Sequence, residues 1–248
     1  MRVIYILWLR ELKRYTRSRA QIIASLGQPL LYLLTLGFGL GPIFRASGAG
    51  SYLQFIAPGV ISMTVLFTAM FSGIALLWDR QFGFLKETLV APVSRLQIMV
   101  GRMLGSATVS MIQGLLVALV CFVAGFRPAS LAMIPVALMF LALIAVVFAA
   151  LGSAIGATLK DMQGFQMVMN FLVMPIFFLS GALYPLKNLP LVLTAFVSID
   201  PLTYGVDGMR TALTSQTHFG APLDAAVLGV LIVVVTCFGA WRFSKIEV

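Results

Sequence analysis

Gln163, Gln166 and Asn170 recur at i, i+3 and i+7 within an otherwise apolar run, which stacks three amides on one helix face. Met174 and Phe177 continue that stripe. A row of hydroxyls, Thr64, Thr68 and Ser72, runs along another apolar stretch beside Phe67 and Phe71. Such groups hydrogen-bond; they do not break covalent bonds. The single histidine, His218, has no second metal ligand and no base partner near it in sequence. No GxxxxGK[ST] phosphate loop occurs. No Asp or Glu sits in the middle of an apolar run, where a proton or sodium carrier would hold one. No catalytic residue and no metal site are expected.

Amides are disfavoured in lipid, so the 163–177 face must point at protein or at a cavity. Two readings fit: hydrogen bonds between helices of one bundle, or the lining of a substrate path. The path is carried forward, with Thr64, Thr68, Gln163, Gln166, Asn170, Met174 and Phe177 as its residues. Met63, Met70, Met167 and Met174 give it an adaptable apolar character. The Trp and Tyr platforms that suit sugars are scarce there. A hydrophobic or amphipathic cargo therefore fits better than a bare glycan.

What must position these residues is a set of membrane-spanning helices. Of 248 residues, 60% are apolar and 10% charged, whereas soluble domains are nearer a quarter charged. Strand alternation is absent, which excludes a β-barrel. The fold expected is an all-α integral membrane protein, one domain over 1–248. Apolar runs of about 20 residues place six spans near 20–42, 53–78, 98–125, 131–158, 163–183 and 223–241. No internal repeat relates the halves, which weighs against the nested-repeat carriers. Gly101 and Gly105, like Gly152 and Gly156, are spaced for close helix packing and are read as structural.

Residues 1–19 read as an interface helix. Ile4, Trp8, Leu12 and Tyr15 share one face, and Arg10, Lys13, Arg14 and Arg17 the other. That pattern suits an anionic leaflet. The apolar run after it is too long for a signal peptide, and RASG (45–48) makes a poor cleavage site. Net charge is +9, but the basic residues flank apolar runs, so they report topology rather than nucleic-acid binding. Of the 17 lysines and arginines, all but Arg45, Arg127, Lys187 and Arg210 fall on one side of the spans. That side is expected to be cytoplasmic and to hold both termini. Trp8, Trp78 and Trp241 then gather at the same interface. Cys121 and Cys237 would lie on the order of 20 Å apart, so no disulfide is expected and both read as packing residues.

Two connections carry more than turns. In 79–97, Phe82, Leu85 and Leu89 recur at helical spacing, with Lys86 and Glu87 off that face and Pro92 ending the run. This predicts an amphipathic helix over about 81–90 across the cytoplasmic ends of the spans. In 184–222, Pro185, Pro190, Pro201 and Pro222 forbid a full span, and 191–199 is only half a bilayer long. Asp200 followed by Pro201 is a cap and first-turn proline, so a second short helix should start there. A re-entrant pair that packs against protein is expected.

The run LKETLVAPVSRLQIMVGRMLG (85–105) resembles the cytoplasmic loop after the second span in permease subunits of type-2 ABC exporters, which move drugs, lipids and lipid-linked glycans outward. FFLSGALYPLKNLP (177–190) with DPLTYGVDGMR (200–210) is similar to the segment those permeases place outside, before the last span. The resemblance implies that the 81–90 helix is a coupling helix, docking on an ATPase through Phe82, Leu85, Lys86, Glu87 and Leu89. It implies that the second and fifth spans line a pathway between two protomers and that the outer short helices close its exit. Six spans would be half a transport domain: a homodimer with two copies of an ABC ATPase subunit, in a bacterial-type inner membrane. ATP and Mg would bind the partner subunit, and this chain would hold no cofactor. Two other classes of function remain open: a channel or carrier that needs no ATPase, and a membrane scaffold of an assembly complex.

Overall fold

Three helix starts in the computed structural model follow directly from side-chain chemistry. Ser94 Oγ accepts from the Gln97 N–H at 3.3 Å, the Asp161 carboxylate accepts from the Gly164 N–H, and Asp200 Oδ1 accepts from the Leu202 N–H at 3.0 Å. Each satisfies a donor that a helix N-terminus leaves open. The structure describes residues 2–39, 41–42, 51–84, 93–159, 161–186 and 189–244, and among them there is no strand.

Arg2–Arg17 forms α1, and Arg19–Tyr32 forms α2, continued by a π-turn over Leu33–Phe38. Tyr52–Phe71 (α3) runs through a break at Ser72 and Gly73 into Ile74–Gln81 (α4). Then come α5 (Arg95–Val123), α6 (Ile134–Thr158) and α7 (Met162–Leu179). Two short helices, α8 (Leu191–Ile199) and α9 (Pro201–Thr214), precede α10 (Ala221–Ser244). The half-length pair expected in 184–222 is therefore present, with Asp200 as the cap; α9 packs into the bundle as expected, whereas α8 buries only Val197. Tyr52–Gln81, Arg95–Val123, Leu131–Thr158, Met162–Leu179 and Ala221–Phe243 are long and apolar enough to cross a membrane. The sixth candidate belongs to the first two helices, which meet at a bend of 74°.

The centre of the bundle is α3, buried without interruption from Ile56 to Leu66. A helix apolar all round belongs there. Glycines let its neighbours touch it. A Cβ on Gly73 would lie 2.1 Å from the Gly152 carbonyl oxygen, and one on Gly156 would lie 2.6 Å from that of Gly73. The Gly152–Gly156 pair in α6 therefore seats the kink of the second span backbone to backbone. The Gly101–Gly105 pair serves another partner: their absent side chains leave room for Ile4, Leu7 and Glu11 of α1.

Four readings need correction. The amphipathic loop helix does not begin at Gln81, which ends α4; Phe82 lies in the turn and Gly83 has φ +79°, a backbone that breaks the helix there. Leu85, Lys86, Glu87 and Leu89 lie outside the described residues. The N-terminal helix buries Leu7, Glu11 and Tyr15 rather than the Ile4–Trp8–Leu12 face alone, because it packs on α5. Arg10, assigned to the leaflet-facing side, bonds protein instead. Cys121 is buried as expected, but Cys237 is exposed, and both thiols are free.

Candidate functional site

A cavity of about 540 Å³ opens between α1, α2, α3, α5 and α7. That volume lies in the range of small-molecule sites. Its back wall is α3, which presents Met63, Thr64, Phe67, Thr68, Phe71 and Ser72. Phe67 and Phe71 stack there with ring centres 6.2 Å apart. Two of the three hydroxyls beside them are already engaged: Thr64 bonds back to the Val60 carbonyl at 2.8 Å and Ser72 to that of Ala69 at 2.6 Å. Apart from the Thr68 hydroxyl, the wall therefore presents methyl, thioether and ring surface to an occupant.

Two of the amide-stripe residues, Asn170 and Met174, reach the cavity from α7. Gln163 and Gln166 do not line it. They lie on the outer side of α7, near Met167 at 74% and Phe171 at 85% exposure. This face of α7 thus points away from the bundle. Phe177 is buried against Tyr32 and Phe67, in line with Phe165, Met169 and Val173. On a regular helix Phe177 points between Gln163 and Gln166, so it is buried because α7 meets Tyr32 and Phe67 at that level, whereas the same face is exposed at the level of the glutamines.

The mouth is polar, and periodicity gave no hint of it. Glu11, Arg14 and Tyr15 of α1 border the cavity together with Gln28 of α2. Arg14 pairs with Glu11 at 2.6 Å, and the Tyr15 hydroxyl donates to Gln113 Oε1, deep in α5. Nearby, Asp79 at the end of α4 accepts from both Arg10 and Arg102. One carboxylate thus ties the N-terminal helix, the second span and the third into a single unit at the basic end. A glutamine amid an apolar run and a lone acid on a basic helix were the available signals. Neither says which element it faces.

At the opposite end, α9 is fastened by its own charges. Arg210 donates to the Gly181 carbonyl at 3.0 Å and lies 4.2 Å over the Phe55 ring. Asp207 accepts from the backbone N–H of His218 at 2.8 Å and of Phe219 at 2.7 Å. His218 serves there through its backbone, with its ring edge-on to Phe219. Burial pushes the Asp200 carboxyl up to about 7, against the opposing Leu202 N–H and Thr203 hydroxyl. The folded protein therefore keeps a proton that the unfolded chain releases near its ordinary value of 3.8. This contribution to stability is full below about pH 4 and is lost as pH rises through about 7. Asp200→Asn keeps a good cap. The mutant-minus-wild-type difference in Tm should rise by several degrees between about pH 4 and 7 in detergent melts.

Residues 2–214 match the family model described as ABC-2 type transporter. The chain is 28% identical over 232 residues to Nodulation protein J of Rhizobium leguminosarum bv. viciae, covering 92% of this chain and 88% of that one. It is also 28% identical over 244 residues to the inner membrane transport permease YadH of Escherichia coli (strain K12), covering 97% and 93%.

Proposed function

Since the chain belongs to the ABC-2 type transporter family as a membrane transport subunit, we propose that it forms the translocation path of an exporter powered by a separate ABC ATPase. Its cargo is hydrophobic or amphipathic, taken from the cytoplasm or the inner leaflet. The observation that carries this reading is the cavity at the basic end, with its aromatic and methionine wall on α3 and its charged mouth on α1. An apolar tail fits the wall and a polar head fits the mouth. The chain itself is non-catalytic; ATP and Mg belong to the partner.

The outward amides of α7 support a second permease copy. Gln163 and Gln166 facing lipid would each go unpaired, and a facing protomer removes that cost. Pairing two copies along this face gives a homodimer served by two ATPase subunits. The excess of basic residues around α1 and the 79–97 loop supports cytoplasmic termini, in a bacterial-type inner membrane. The ATPase pushes on the loop after α4, at Phe82 and through Leu85, Lys86, Glu87 and Leu89. From there Asp79 passes the movement to α1 and the cavity mouth.

Proteoliposomes containing this chain and its ATPase test the scheme. Glu87→Lys, or Phe82→Ala with Leu85→Ala, should reduce ATP-dependent export at least tenfold while membrane insertion and dimer formation persist. Export at the wild-type rate by these variants, or by this chain without an ATPase, refutes the coupling and favours a free-standing carrier.

A further inference from the structure

A second cavity, of about 170 Å³, lies on the opposite flank, walled by Ile61 of α3, Gly114 and Ala118 of α5, Leu141 of α6 and Met209 of α9. It shares no residue with the cavity beside α1. Every lining residue is apolar or glycine. The volume is below that of drug-sized sites, so it does not suit a transported molecule. Its shape suits something thin: from Gly114 to Phe122 the α5 side of the cavity extends roughly 12 Å at 1.5 Å per residue. Leu115, Phe122 and Leu138 on its rim are 44%, 48% and 41% exposed. On a membrane-spanning bundle, that exposure is to lipid chains.

At the end of this groove sits Arg127, one of the few cations on the far side of the spans. Its Nη1 donates to the carbonyls of Phe122 and Phe126 at 2.8 and 3.1 Å, and its guanidinium lies 4.6 Å from the Phe122 ring centre. Among the described residues no carboxylate pairs with it. A guanidinium carries five donors, so several remain for an anion. Its backbone is held as well: the Gln54 amide, oriented to satisfy both its atoms, donates to the Arg127 carbonyl at 2.9 Å and accepts from the Arg127 N–H at 3.0 Å.

We propose that this groove is a structural phospholipid site, in which one acyl chain fills the space between α3, α5, α6 and α9 and the phosphate pairs with Arg127. The charge and the groove meet at the depth where a lipid joins its head to its chains. The lipid is a fixed part of the bundle, wedged under α9 through Met209 and Leu213, rather than cargo.

Native mass spectrometry of the full-length protein in mild detergent tests this. The wild type should retain one phospholipid per chain. Ala118→Trp, which fills the groove, and Arg127→Gln, which removes the cation, should each lower that occupancy roughly tenfold. Val233→Trp, on an exposed face of α10, should leave it unchanged. Arg127→Gln replaces an exposed side chain, so it is informative even if Ala118→Trp does not fold. Equal occupancy in all variants, no retained lipid, or displacement by inorganic phosphate alone would overturn the assignment.

Discussion

Asp79→Ala should cost about 3–5 kcal/mol of stability and release the N-terminal helix from the bundle. The carboxylate accepts from Arg10 and Arg102, and the Arg102 side chain is only 8% exposed. Without Asp79 a buried guanidinium keeps only Glu11, itself paired with Arg14, as a nearby counter-charge, and that loss is large against a typical total of roughly 5–15 kcal/mol. Thermal melts in detergent measure the loss of stability. Thiol labelling of Leu7→Cys, at a position buried where α1 meets α5, reports the release. A paired change, Asp79→Leu with Arg102→Met, should recover most of the stability, because apolar replacement of a buried ion pair is often neutral. If that double variant folds yet fails to export, Asp79 transmits force as well as holding the bundle together. Unchanged melting of Asp79→Ala would mean the ion cluster is incidental.

Gly152→Val is expected to prevent folding outright. A Cβ at Gly152 would lie 2.4 Å from the Met70 carbonyl oxygen and 2.9 Å from its Cα. Backbone cannot rotate aside as a side chain can, so α6 would have to back away from α3 along its length. Overpacking of adaptable cores costs roughly 1–3 kcal/mol, and this rigid contact should exceed that. Size-exclusion chromatography of a fluorescent fusion should show the variant aggregated or absent from the membrane. Gly229→Ala is the control: nothing lies within 4 Å of a Cβ there, and its profile should match the wild type. A monodisperse Gly152→Val protein would contradict the helix contact described.

The spans, the short far-end helices and the Asp200 cap were legible because each rests on local chemistry: run length, proline placement and a carboxylate before a first turn. Gly152 and Gly156 could be read as packing residues, though not which helix they meet. The cavity was half legible. Thr64, Thr68, Asn170 and Met174 line it, whereas Gln163 and Gln166 face outward and Phe177 joins the core. A stripe found by spacing gives a direction on one helix and nothing about how that helix is turned within the bundle. The polar mouth was hidden for a different reason. Arg10 meets Asp79 across 69 positions and Tyr15 meets Gln113 across 98. Pairings that long leave no periodic trace, and the basic surface of α1 suggested lipid as its partner when a helix was there.

The seat of α1 also sets an order of assembly. Within this chain α1 is made before the surface it rests on, which includes Asp79, Gly101, Gly105, Thr108 and Gln113. Until synthesis has passed Gln113, α1 has nowhere to settle. During that interval its arginines and aromatic rings hold the nascent chain on the bilayer surface while its berth is built.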